Sequence, residues 1–130
     1  MLFKAMKEVK PYTLTKAEMQ VMNILWDMPQ GGCVHDIIAR YEEPKPAYTT
    51  IATFMKILLN KKFVSYRKGG GKTQIYYPLV SREEYTRRMM KDVKNNFFGG
   101  SGSSLLKFFV SEEQLTEDEI NELIEMINRN

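Results

Sequence analysis

KPAYTTIATFMKILLNKKFV, Lys45–Val64, decides how this chain is read. Its spacing is helical: at about 100° per residue, Ala47, Ile51, Phe54, Met55 and Leu58 fall on one apolar stripe. Yet the first two turns carry Thr49, Thr50, Ile51 and Thr53, β-branched residues that lose rotamer freedom in a helix. The opposite face carries Thr49, Ala52, Thr53, Lys56 and Asn60, with no acid among them. Such a face is small and polar, with a cation one turn further on, and short enough to bring a backbone close to a duplex. One answer is that threonines placed there are chosen for what they touch, and the rest of the chain decides it.

Charge points the same way. The 130 residues carry a net charge of +3, which hides an asymmetry. Residues 1–80 hold 12 Lys and Arg against 6 Asp and Glu, while 81–130 hold 7 against 10. Between Glu43 and Glu83 there is no acid, whereas Lys45, Lys56, Lys61, Lys62, Arg67, Lys68, Lys72 and Arg82 all fall there. A region of one sign is the electrostatic footprint of a polyanion partner. Charge alone fits a solvated basic face equally well.

Outward from the third helix, the chain is punctuated clearly. LTKAEMQVMNILWDMPQ reads as a first helix, with Thr15 and Glu18 at capping-box spacing and Ala17, Val21, Ile24, Leu25 and Met28 on one face. VHDIIARY, residues 34–41, is a short second helix ended by EEPKP. FVSYRK and TQIYYPLV are strand-like runs separated by Gly69-Gly70-Gly71. Three helices followed by a basic hairpin is the layout of a winged helix-turn-helix, the hairpin being the wing. Ser81 and Glu84 open a further helix to about Phe97, GGSGSS (99–104) is a flexible break, and Thr116 with Glu119 opens a last helix. Trp26 belongs to the core or the edge of the first domain.

The expected fold is therefore mainly α with a small antiparallel β wing. Residues 1–80 are expected as a winged-helix DNA-binding domain and 81–130 as a helical dimerisation region. Leu105, Leu106, Phe109, Leu115, Ile120, Leu123, Ile124 and Ile127, helped by Tyr85, Met89 and Val93, are the expected contacts between two copies. An apolar stripe packed back onto residues 1–80 is the plainer alternative; the Gly/Ser break favours separate units.

Catalytic readings fail on particular residues. GGGKT, Gly69–Thr73, would need glycine at position 66 to be a P-loop; Tyr66 stands there, and the stretch lies between strands rather than opening a helix. Cys33 and His35 are too few ligands for a structural zinc site, and read as a small buried thiol and a helix-start histidine. The acids between Glu112 and Glu125 crowd the first turns of helices, where they complement the dipole. No catalytic residue, metal ligand or cofactor is expected. One cysteine excludes an internal disulfide, no apolar run approaches the roughly 20 residues of a membrane span, and MLFKAMKEVKPYTLT has no apolar signal segment. A cytoplasmic location is expected.

LTKAEMQVMNILW, AYTTIATFMKILLNKKFV, IYYPLVS and FVSEEQLTEDEINELIEMIN together resemble the BlaI/MecI penicillinase-repressor family, from about Leu14 to the end. The resemblance implies a bacterial, homodimeric winged-helix repressor on a palindromic double-stranded DNA operator, controlling a β-lactam-resistance-type operon. It implies a regulatory protease as a second partner. Tyr48, Thr49, Thr50, Thr53 and Lys56 are then the DNA-facing candidates of a recognition helix, and Arg67, Lys68 and Lys72 those of the wing. Four departures stand out. Ala52 replaces an arginine of staphylococcal members, and Lys62 replaces a glycine found in many. Phe108-Phe109 aligns with the asparagine-phenylalanine bond cut in staphylococcal repressors. The cysteine cluster of the copper-responsive branch is missing. The rival expectation is a winged helix that docks on protein, without sequence-specific DNA recognition.

Overall fold

Thr15 starts the first helix. Its hydroxyl accepts the Glu18 N–H at 3.2 Å, and the Glu18 carboxylate accepts the Thr15 N–H at 3.0 Å, which is the reciprocal box the spacing predicts. The helix so capped, α1, runs Lys16–Trp26; α2 is Val34–Ala39 and α3 is Tyr48–Asn60. The computed structural model describes residues 13–129. The N-terminal stretch read for a signal segment lies, up to residue 12, outside them.

Strands β1 (Val64–Lys68) and β2 (Gln74–Pro78) form an antiparallel hairpin with Tyr66 opposite Tyr76. Gly32 adds one bridge to its other edge: the Gly32 N–H donates to the Tyr76 carbonyl at 3.0 Å, and the Gly32 carbonyl accepts the Tyr76 N–H at 2.8 Å. This approach requires Gly31, whose φ is +75° and whose Cβ would stand 2.4 Å from the Tyr76 carbonyl oxygen. Three helices, α4 (Arg82–Phe97), α5 (Gly102–Ser111) and α6 (Glu117–Arg129), complete the described chain. The architecture is mainly α with a small wing, a winged helix followed by further helices.

The described residues divide into two compact units between Tyr85 and Thr86. The core of the first is built from Val21, Met22 and Leu25 of α1, Ile37 of α2, Ile51, Met55 and Leu58 of α3, and Phe63 with Val64. On α1 the buried face differs from the expected stripe: Met22 and Glu18 are buried, while Ala17 and Ile24 are only half-buried. The reason is that α1 packs against α2, α3 and β2 at once, which covers a wider arc than one stripe. Trp26 is half-buried at the edge, its indole N–H donating to the Val80 carbonyl at 2.9 Å and the Arg82 guanidinium 5.3 Å from its ring.

Tyr85 corrects the expected set of intermolecular contacts. It is buried in the first unit, its ring 5.6 Å from Phe63, and its hydroxyl accepts the Leu14 N–H at 2.9 Å. An aromatic at a helix start carries no mark of whether it packs within its own chain or across to another.

The end of α3 shows how Lys62 replaces glycine. Lys61 is the C-cap and Lys62 has φ 66°; the Phe63 N–H reaches the Leu58 carbonyl at 2.9 Å and the Lys62 N–H the Leu59 carbonyl at 3.1 Å. This is a Schellman ending with a side chain at its left-handed position. Lys62→Gly is expected to raise stability by about 1 kcal/mol by removing the Cβ strain. Urea unfolding of both chains measures it, and an unchanged midpoint would contradict the strain.

In the second unit, half of the expected flexible break is helix. Ser101 caps α5, its hydroxyl accepting the Ser104 N–H at 3.1 Å, so Gly102, Ser103 and Ser104 form the first turn. Only Gly99 and Gly100, at φ 57° and 81°, make the turn itself. The Thr116–Glu119 box is present in both directions at 3.2 and 2.8 Å. Neither α5 nor α6 buries a single residue. Leu106, Phe108, Val110, Ile124, Met126 and Ile127 are all exposed, Ile127 by 65%.

Candidate nucleic-acid interface

Helix α3 presents two faces of opposite character. Ile51, Met55 and Leu58 are buried; Tyr48, Thr49, Thr50, Thr53 and Lys56 are exposed, with Ala52 half-buried between them. Its N-cap is Ala47, which supplies no side-chain acceptor, and the first turn has no acid. The positive end of the helix dipole is therefore left uncompensated by the chain itself. An electropositive helix end beside an acid-free polar face favours an anion.

Thr53 has a limited repertoire. Its hydroxyl donates to the Thr49 carbonyl one turn back at 2.8 Å. The oxygen keeps its lone pairs and the side chain is exposed, so Thr53 can accept from a base amino group or pack on a thymine methyl. Donation to a phosphate would require breaking the backbone bond.

The wing candidates separate in the same way. Lys68 and Lys72 are exposed. Arg67 is exposed too, but its Nη2 donates to the Gln30 carbonyl at 2.7 Å, tying the wing to the turn after α1. The basic span is narrower in space than in sequence. The Lys45 ammonium donates to the Ala39 and Tyr41 carbonyls at 3.2 and 2.6 Å and so closes the C-terminus of α2. Lys61 pairs with the buried Glu18 at 2.7 Å, and Arg82 pairs with Asp27 at 3.1 Å. Sequence position cannot separate a cation serving the fold from one facing water.

One residue was missed. His35, exposed on α2, lies against the Tyr48 ring with centroids 4.9 Å apart. Together with Lys72, Gln74 and Tyr76 of the wing region they bound a cleft of about 340 Å³. The available signal was its place at the start of a helix just ahead of the proposed recognition helix. Among the described residues no group of three or more His, Cys, Asp or Glu side chains could hold a metal ion, and no helix is long and apolar enough to cross a membrane.

Comparison with known proteins completes the picture. The family model described as penicillinase repressor matches residues 14–129, which takes in the winged helix and all three following helices. The chain belongs to the penicillinase repressor family. Members of this family are transcriptional repressors, not enzymes. The chain is 34% identical over 121 residues to the methicillin resistance regulatory protein MecI of Staphylococcus aureus strain N315, covering 92% of this chain and 97% of that one. The same figures hold for the MecI of Staphylococcus epidermidis. It is 24% identical over 115 residues to the penicillinase repressor of Bacillus licheniformis, with 88% of each covered. The likeness to these penicillinase repressor family proteins spans both units rather than the winged helix alone.

Proposed function

We propose that this chain is a homodimeric repressor that places α3 in the major groove of a palindromic operator. The observation that carries the reading is the exposed, acid-free threonine face at the uncapped start of α3, on a winged helix. In this reading Tyr48, Thr49, Thr50, Thr53 and Lys56 meet bases and nearby phosphates, and Lys68 and Lys72 hold the backbone. Arg67 adds to them through the donors its Gln30 bond leaves over. Leu105, Leu106, Phe109, Leu115, Ile120, Leu123, Ile124 and Ile127 join the two copies. Leu106, Ile124 and Ile127 are exposed and the other five half-buried in one chain, and this incomplete burial supports that role.

The relatives' printed roles, in methicillin resistance and as a penicillinase repressor, make a β-lactam-resistance-type operon the proposed target. A regulatory protease is a proposed partner. Phe108-Phe109 lies inside α5, so cleavage there needs that helix to open first.

Selection of bound sequences from a random duplex pool tests the whole reading. An inverted repeat with half-sites about one helical turn apart, or a multiple of it, is the expected product. Unselective binding would leave the basic face without a code; binding with no salt dependence would favour docking on protein.

The two classes of contact are also separable. Thr49→Ala is expected to weaken operator binding by about tenfold while leaving random DNA nearly unchanged, since a good base contact discriminates by roughly 1–3 kcal/mol. Lys72→Ala should weaken both alike and lower the salt slope by about 0.9. Fluorescence anisotropy on both duplexes reads each effect. Equal losses on both duplexes for Thr49→Ala would remove it from the base-reading set.

A further inference from the structure

The cleft beside α3 combines three elements that the sequence keeps apart. His35 comes from α2, Tyr48 from the first turn of α3, and Lys72 with Gln74 from the tip and second strand of the wing. The rings of His35 and Tyr48 are 4.9 Å apart and inclined at 43°, so the imidazole is held at the entrance of the proposed recognition helix. A ring contact leaves the in-plane nitrogens of an imidazole for another partner. We propose that this cleft binds one backbone phosphate of duplex DNA, with the charged His35 imidazole and the Lys72 ammonium as its ligands. The proposal rests on the reading that α3 lies against DNA.

The surroundings suit an anion whose binding is coupled to uptake of a proton from solvent by the imidazole. Cys33, the N-cap of α2, Tyr48 of α3, and Lys72 and Tyr76 of the wing line the cleft with His35, and Asp36 follows it on α2 within electrostatic reach. The Asp36 carboxylate accepts the Cys33 backbone N–H at 3.1 Å. That bond, followed by the charges of His35 and Arg40, holds the Asp36 carboxyl below the usual carboxylate range. It therefore remains an anion beside the imidazole. Tyr76 donates its own proton to Gln74 at 2.7 Å, and burial pushes its phenol up, so it adds no charge. Lys72 favours an anion in the cleft. A phosphate there would stabilise the charged form of the imidazole next to it. Binding then takes up a proton, and affinity rises as pH falls.

This chain has a single histidine, which makes the effect attributable. The test is anisotropy of the full chain with a fluorescein-labelled duplex of mixed sequence, about three helical turns long. It is run at about pH 6 and about pH 8, each over a range of salt. The wild type is expected to bind about three- to tenfold more tightly at the lower pH. Its salt slope there should be steeper by up to about 0.9, one added phosphate contact. His35→Phe keeps a ring against Tyr48 and removes the charge; it should bind as the wild type does at the higher pH and be insensitive to pH. His35→Gln, which keeps a polar group without the ring, should be equally insensitive. If His35→Phe retains the pH dependence of the wild type, or if the wild type shows none, the cleft is not the phosphate site. A constant loss at both pH values in both variants would make His35 a support for Tyr48 only, and would also overturn the proposal. If the wild type binds duplex with no salt slope at either pH, the failure belongs to the DNA-binding reading itself.

Discussion

Ile124→Glu combined with Ile127→Glu is expected to convert the protein to a monomer and lower operator affinity by at least about 100-fold. Both side chains are exposed on α6, by 50% and 65%, so the exchange removes little packing within one chain. In a dimer sharing the α5 and α6 faces, four glutamates would be forced into an apolar seam, and burying unpaired carboxylates is costly enough to prevent association. The proposed operator is read by two α3 helices whose second engagement is intramolecular. Losing that linkage forfeits the avidity term, about 10²–10⁴. Sedimentation should give the single-chain mass of 15.2 kDa, with helical circular dichroism preserved. A double variant that remains dimeric would place the interface elsewhere.

Lys61→Met is expected to destabilise the first unit by about 2 kcal/mol, less than a fully buried pair because Lys61 retains some exposure. Glu18 is 4% exposed, and Lys61 both pairs with it at 2.7 Å and donates to the Thr13 carbonyl at 3.0 Å. The substitution strands a buried carboxylate and frees a link between the start of α1 and the end of α3. Burial by itself would push the Glu18 carboxyl up, but bonds from Lys61 and the Thr15 N–H outweigh it and hold the group below its ordinary value. A depressed folded-state value means that the charged pair adds stability above the unfolded-state value, near pH 4.5, and that this is lost as pH falls through the folded one. Chemical unfolding across that range should show the wild type weakening on acidification. Glu18→Gln should start lower and lack this component of the decline. Parallel pH profiles would exclude the pair as its source.

Local signals were legible where the physics is local. The Thr15–Glu18 and Thr116–Glu119 boxes depend on residues three apart, and both formed. The alternation and glycines of residues 63–80 predicted a hairpin, and the period of α3 separated Ile51, Met55 and Leu58 from the threonine face. The Gly/Ser run was misread because a serine followed by small residues can as well cap a helix as break one. Met22 and Glu18 escaped the expected core because burial on α1 depends on three neighbouring elements, which periodicity does not contain.

The candidate interface divides along the same line. Residue types, their spacing and the absence of acid between Glu43 and Glu83 made α3 and the wing the candidate anion-facing surface. Which cations remain on that surface was a tertiary matter. Lys45 closes α2, Lys61 meets Glu18 across 43 residues, and Arg67 reaches Gln30 across 37. His35 and Tyr48 were brought together by the turn between two helices. By itself the sequence determined the helices and the hairpin and marked out a basic, acid-free span, because propensity, period and charge are properties of neighbouring residues. Only the tertiary structure decided which polar groups satisfy one another and which are left for a ligand, because a hydrogen bond or an ion pair depends on separation in space.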